Sequence, residues 1–172
     1  DGVTPAKGKP LQSIHKDAEG RMVLADTLVC ASRDKPKLII DYATLTGAVV
    51  NAITTRYSGV FTNRPDWHPR LKRIGQNCGE RVWPFPIGKE FLEDLHSDVA
   101  DIQQCSADPA GDHILAASFL AEVIENDTPW VHIDLAGSNH KGELGHIPAE
   151  VTGFGGRYTR SLIIDEKLMQ ED

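Results

Sequence analysis

The sequence predicts an α/β fold with a mixed, mainly parallel central sheet flanked by helices. Three observations carry that expectation. Leu38-Ile39-Ile40 and Trp130 to Leu135 are short apolar runs of strand length, the kind found in interior strands covered on both faces. These runs alternate with longer stretches of helical pattern, at Gly20 to Ala31 and Ala110 to Glu125. Proline and glycine fall between the stretches, where turns are needed.

Taken in order, residues 1–14 read as an irregular approach ending in a short extended piece. Met22, Val23, Leu24, Leu28, Val29 and Ala31 then give a largely buried helix, with Pro36 as its stop. Lys37 to Ala43 is a strand, Thr46 to Ile53 a short helix and Ser58 to Thr62 another strand. Pro65 to Cys78 suits a helix capped near Asp66. Trp83-Pro84-Phe85-Pro86 forces a stiff, extended segment. Ala110 to Glu125 is the clearest amphipathic helix, and Pro129 leads into the strand from Trp130 to Leu135. Residues 138–150 read as a loop, and Gly155 to Ile164 as a closing helix.

A chain of 172 residues with 40% hydrophobic content and a net charge of −7 fits one globular domain able to bury its own core. No run approaches the ~18 apolar residues of a membrane helix, and no secretory n-region and h-region pair is present. The acidity disfavours nonspecific nucleic-acid binding. Cys30, Cys78 and Cys105 are odd in number and form no C-x-x-C, as expected of reduced thiols in a cytoplasmic protein. The start at Asp1 leads us to expect a piece of a longer protein.

The chemistry concentrates at residues 15–29. Asp17, Glu19 and Arg21 alternate along an extended segment, which puts them on one face at about 7 Å per i,i+2 step. Two carboxylates so placed can supply part of a metal site, and the guanidinium can hold an anion. The same spacing also suits a strand-to-helix turn with acidic groups favouring the helix N-terminus and an ordinary ion pair.

Thr44-Leu45-Thr46-Gly47 follows the Ile39–Ile40 strand, where α/β sheets open their crevices. Its backbone can meet a substrate, with Gly47 allowing close approach, while Thr44 or Thr46 can equally cap a helix. Asp98 and Asp101 read as loop or capping groups. The seven histidines show no metal-site spacing. His132 reads as a satisfied core or interface side chain, and His140 and His146 as solvated. Gly153-Phe154-Gly155-Gly156-Arg157 follows no strand of a βαβ unit, which argues against a nucleotide site. Ser13, Ser58 and Ser97 lack a nucleophile-elbow context.

Asp17-Ala18-Glu19-Gly20-Arg21, followed by an apolar helix, resembles the signature of the M17 leucine aminopeptidases. So, in the same order, do Ala43-Thr44-Leu45-Thr46-Gly47-Ala48, Ser97-Asp98-Val99-Ala100-Asp101, Trp130 to Gly137 and Thr152-Gly153-Phe154-Gly155. The resemblance implies a zinc-peptidase-like domain, of which residues 1–172 are the carboxyl-terminal portion, and an exopeptidase using two divalent ions, Zn²⁺ or Mn²⁺, with an activated water. It implies Asp17 as ligand of one metal, Glu19 as ligand shared by both, and Arg21 as the catalytic arginine that binds a bicarbonate. Ala18, Thr44, Leu45 and Gly47 correspond to positions around the peptide substrate. The implied assembly is a homo-hexamer. The remaining ligands and a catalytic lysine would lie upstream in the same protein, so the chain alone is expected to bind metal poorly and be inactive. The family's Asn-Thr before Asp17 is here His15-Lys16, and His15 is expected to alter the pocket for the substrate's first side chain.

Two other readings stand beside the metallo-aminopeptidase. One is a noncatalytic descendant serving as an oligomeric or DNA-binding module. The other is a dinuclear phosphoesterase using the same Asp-x-Glu pair.

Overall fold

The structure, a computed structural model, describes residues 2–3, 11–12, 19–95, 102–103, 110–142, 144, 147–165 and 168. In chain order these form β1 (Gly2–Val3), β2 (Leu11–Gln12), α1 (Glu19–Arg33), β3 (Ile39–Ala43), α2 (Gly47–Ile53), β4 (Ser58–Thr62), α3 (His68–Cys78), β5 (Val82–Pro84), β6 (Ile102–Gln103), α4 (Asp112–Val123), β7 (Trp130–Asp134) and α5 (Gly156–Arg160).

The central sheet runs β3-β7-β4-β5. β3 pairs with β7 in parallel, with Asp41 opposite His132 and Ala43 opposite Asp134. β7 meets β4 antiparallel, and β4 pairs with β5 in parallel. The sheet is therefore mixed and mainly parallel, as expected. A smaller sheet joins β1, β2 and β6. Every residue of β4 and β7 is buried, because helices cover both faces of these inner strands.

One face packs Ile39 and Trp130 under α1 and α4, against Ala25, Leu28, Val29, Leu115, Phe119 and Leu120. The other packs Val60, Val82, Val131 and Ile133 under α3 and α5, against Leu71, Ile74, Tyr158 and Leu162. Gly59 is required where α2 crosses β4: a Cβ there would lie 2.9 Å from the Val49 side chain. No helix among the described residues is long and apolar enough to cross a membrane.

α1 and α4 lie side by side and run parallel. Their ends are joined by Arg33–Glu125 at 3.2 Å and by the Glu125 N–H donating to Ser32 Oγ at 3.1 Å. Their first turns are joined by Arg21 and Asp112. Each helix returns through a short connection to the start of its strand, α1 to β3 and α4 to β7. The helix starts therefore lie over the carboxyl ends of the two parallel strands.

Some local expectations shift. The stretch from Pro65 opens as a 3₁₀ turn to Trp67 before α3 begins, and Asp66 makes no capping bond. α4 is not amphipathic: His113, Leu115, Ala116, Ala117, Ser118, Phe119, Leu120 and Val123 are all buried. It is enclosed by α1, α2 and the 3₁₀ turn at Lys89–Leu95 as well as by the sheet. The closing helix ends at Arg160 and continues as a π turn over Ser161–Asp165. Thr46 does cap α2, its hydroxyl accepting from the Val49 N–H at 3.4 Å.

Candidate active site

The candidate site lies where the carboxyl ends of β3 and β7 meet the starts of α1, α2 and α4, the position at which open α/β sheets bind ligands. Thr44, Leu45 and Thr46 leave β3 there. The buried Asp134 carboxylate fixes them from the end of β7. It accepts the Leu45 N–H at 3.0 Å and the Thr46 N–H at 3.3 Å through Oδ1, and the Thr46 hydroxyl at 2.7 Å through Oδ2. The Leu135 N–H donates to Ala43 O at 2.8 Å and extends the strand pairing to this edge. Leu45 sends its side chain into the core beneath α1 and α4, while Thr44 and Gly47 stay exposed.

Arg21 lies on the first turn of α1 and is only 4% exposed. Its Nη2 is ion-paired with Asp112 Oδ2 on the first turn of α4. Gly111 leads into that turn in the left-handed region at φ 67°, which glycine adopts without strain. His113 follows, 7% exposed, edge-on to Phe85 at 4.6 Å and to Phe61 at 6.3 Å, with a buried Nδ1 that has no hydrogen-bond partner among the described residues. Burial lowers its pKa below the ordinary histidine value, and Asp134 and Asp112 oppose that shift. His113 is thus within electrostatic reach of both carboxylates that organise the crevice.

Of the residues read from the sequence, Arg21, Thr44, Leu45 and Gly47 converge on this edge. His15, Asp17 and Ala18 lie outside the described residues, and Glu19 is described as backbone only, opening α1. Asp98, Asp101, His146, Ser13, Ser97 and Cys105 also lie outside them. Among the described residues no group of three or more His, Cys, Asp or Glu could hold a metal ion.

His132 is fully buried, as expected of a core histidine, with Nδ1 2.6 Å from Asp41 Oδ1 and the ring stacked on Trp130. His140 is not simply solvated, because its Nδ1 bonds the Thr55 hydroxyl at 2.7 Å. Ser58 is buried and accepts the Ala136 and Gly137 N–H groups. Asp112, His113 and Asp134 emerged as site residues only in three dimensions. Asp112 alone had a local cue, an acidic residue directly after a glycine at a helix start.

A mixed α/β sheet with its crevice over the carboxyl ends of parallel strands, and a buried arginine at its rim, is the frame of an α/β enzyme domain. Residues 1–161 match the cytosol aminopeptidase family, catalytic domain. A probable cytosol aminopeptidase of Rhodopseudomonas palustris (strain BisB18) is 45% identical over 171 residues, covering 96% of this chain and 33% of the relative. One from Phytoplasma australiense is 40% identical over 167 residues, 96% of this chain and 34% of the relative. Among solved structures, a tomato leucine aminopeptidase mutant superposes with a TM-score of 0.86 at 30% identity, covering 96% of this chain and 32% of its own. The bottromycin maturation enzyme BotP, in complex with Mn, gives 0.86 at 36% identity over 99% of this chain and 38% of its own. The chain belongs to the cytosol aminopeptidase (M17) family, and spans about a third of the length of the curated relatives it matches.

Proposed function

We propose that the whole protein is a metal-dependent aminopeptidase that releases N-terminal amino acids from peptides, and that this chain supplies part of its site. The observation that supports this most is the convergence at one sheet edge of Arg21, two residues after the Asp17-Ala18-Glu19 run, with the Thr44–Gly47 segment. Membership of the family and a relative bound to Mn point the same way.

In this reading Asp17 and Glu19 would hold two divalent ions, Zn²⁺ or Mn²⁺, together with residues upstream of this chain. Such ions supply Lewis acidity and an activated water. Leu45 and Gly47 offer backbone groups to the peptide, beside Ala18 and Thr44. The Asp134 clamp keeps that segment in one conformation, so little ordering remains to be done on binding. Arg21 presents fixed positive charge at the rim. His15 shapes the pocket for the first side chain. The same reading takes the active assembly to be a cytoplasmic homo-hexamer and this chain alone to be inactive.

The test is hydrolysis of leucine amide by the full-length protein loaded with Mn²⁺ or Zn²⁺. Turnover that disappears with a chelator and with Glu19→Ala is expected. Unchanged turnover by Glu19→Ala overturns the ligand assignment, and cleavage of phosphate esters but not amides would favour a phosphoesterase.

A further inference from the structure

We infer that Asp112 is a positioning residue for Arg21: its carboxylate is the built-in counter-anion of that guanidinium, and no small anion from solution is needed there. The inference rests on the aminopeptidase reading only for its kinetic consequence. An arginine keeps its charge when buried, and the Arg21 side chain is only 5% exposed. A buried cation without an anionic partner is costly, so its neighbourhood is expected to provide one. Asp112 does so from a separate helix, 91 residues away in sequence. It occupies the first turn of a helix of 12 residues, where a negative charge is stabilised.

The pair also has a mechanical consequence. It ties the first turn of α1, which opens at Glu19, to the first turn of α4. Without it, the guanidinium would keep its charge but lose one of the contacts that aim it. Asp112 is 23% exposed at the side chain, so water and small solutes reach this pair. Deleting the carboxylate should open a place of formate size beside a guanidinium.

The experiment uses the full-length protein with Asp112→Ala, the size-conserving Asp112→Asn and the double variant Arg21→Gln/Asp112→Ala, in buffer freed of bicarbonate. Calorimetric titration with sodium formate reads the site without catalysis. Formate should bind Asp112→Ala and bind neither the parent protein nor the double variant. In metal-loaded enzyme, Asp112→Asn should lower kcat on leucine amide at least about tenfold with KM little changed, as for a misaimed group. Formate or bicarbonate should restore Asp112→Ala, and the parent should ignore both anions. The inference is overturned if formate binds the parent as tightly as Asp112→Ala, if it binds no variant, or if Asp112→Asn keeps full kcat. Absence of amidase activity in the parent would sink the aminopeptidase reading, while the titration would still decide the role of Asp112.

Discussion

The Asp134 carboxylate, at the end of β7, accepts the hydroxyl of Thr46 at 2.7 Å, and Thr46 in turn caps α2. One side chain thus satisfies both the exit of β3 and the start of a helix. Asp134 is 1% exposed, and its loss would leave the Leu45 and Thr46 N–H groups without their acceptor. Asp134→Ala should destabilise the full-length protein by about 3 kcal/mol, the scale for removing a charged acceptor from buried donors. Denaturant unfolding measures this. If Leu45 and Gly47 bind substrate, KM for leucine amide should rise in the same variant, and an unchanged KM would count against that role.

A second, half-buried carboxylate works similarly from the edge strand β3. Asp41 accepts the Trp130 indole N–H at 2.6 Å through Oδ2 and contacts His132 Nδ1 at 2.6 Å through Oδ1. Asp41→Ala strands a buried indole N–H and a buried imidazole at once. A loss of about 2–4 kcal/mol is expected. Replacing His132 by Phe removes one of those two demands and should cost less than Asp41→Ala when both are measured by denaturant unfolding.

Some of these relationships are local enough to be read from the chain and others are not. Ser58–Thr62 was legible to the residue because apolar content and flanking turns are local signals. Thr46 was legible as a cap for the same reason. The partners of Arg21, Thr46 and Glu80 were not, since Asp112, Asp134 and Tyr158 lie 91, 88 and 78 residues away and no spacing rule reaches so far. α4 misled in the opposite way. Read as amphipathic, it buries even His113, packed against Phe85, and Ser118, whose hydroxyl accepts the Gly88 N–H at 3.3 Å.

The His113 shift gives a pH dependence of definite sign. Burial lowers its folded pKa below the ordinary 6.5, with Asp134 and Asp112 opposing. A histidine that is harder to protonate when folded leaves the unfolded state binding more protons as the pH falls. Its contribution to stability is therefore fully present above pH 6.5 and is lost as the pH drops below that value. His68, lowered by the same cause, adds in the same direction. Unfolding free energies between pH 8 and pH 5 should decline toward acid. His113→Gln should flatten part of that decline and leave the part due to His68. An identical slope in the variant would mean that His113 is protonated equally easily in both states.

Glu80 offers a last test, on the sheet face away from the crevice. It is 2% exposed, and its Oε2 accepts the Gly155 N–H at 3.0 Å and the Tyr158 N–H at 2.7 Å, so it satisfies donors at the start of α5. Its other oxygen lies 3.5 Å from Arg157 Nε. α5 spans five residues, too short to hold itself together in isolation, and depends on such tertiary anchors. Tyr158 then fixes the helix to α3, its hydroxyl donating to Leu71 O at 3.0 Å. Glu80→Ala should cost about 2–3 kcal/mol of stability through the abandoned backbone donors. Glu80→Gln keeps an acceptor oxygen and should cost less, because it loses the charge but not the hydrogen-bond geometry. Since Arg21, Asp112 and Asp134 are on the opposite face of the sheet, both variants should retain the kcat of the parent below their unfolding temperatures. A fall in kcat with stability unchanged would instead tie the α5 end of the domain to the reaction.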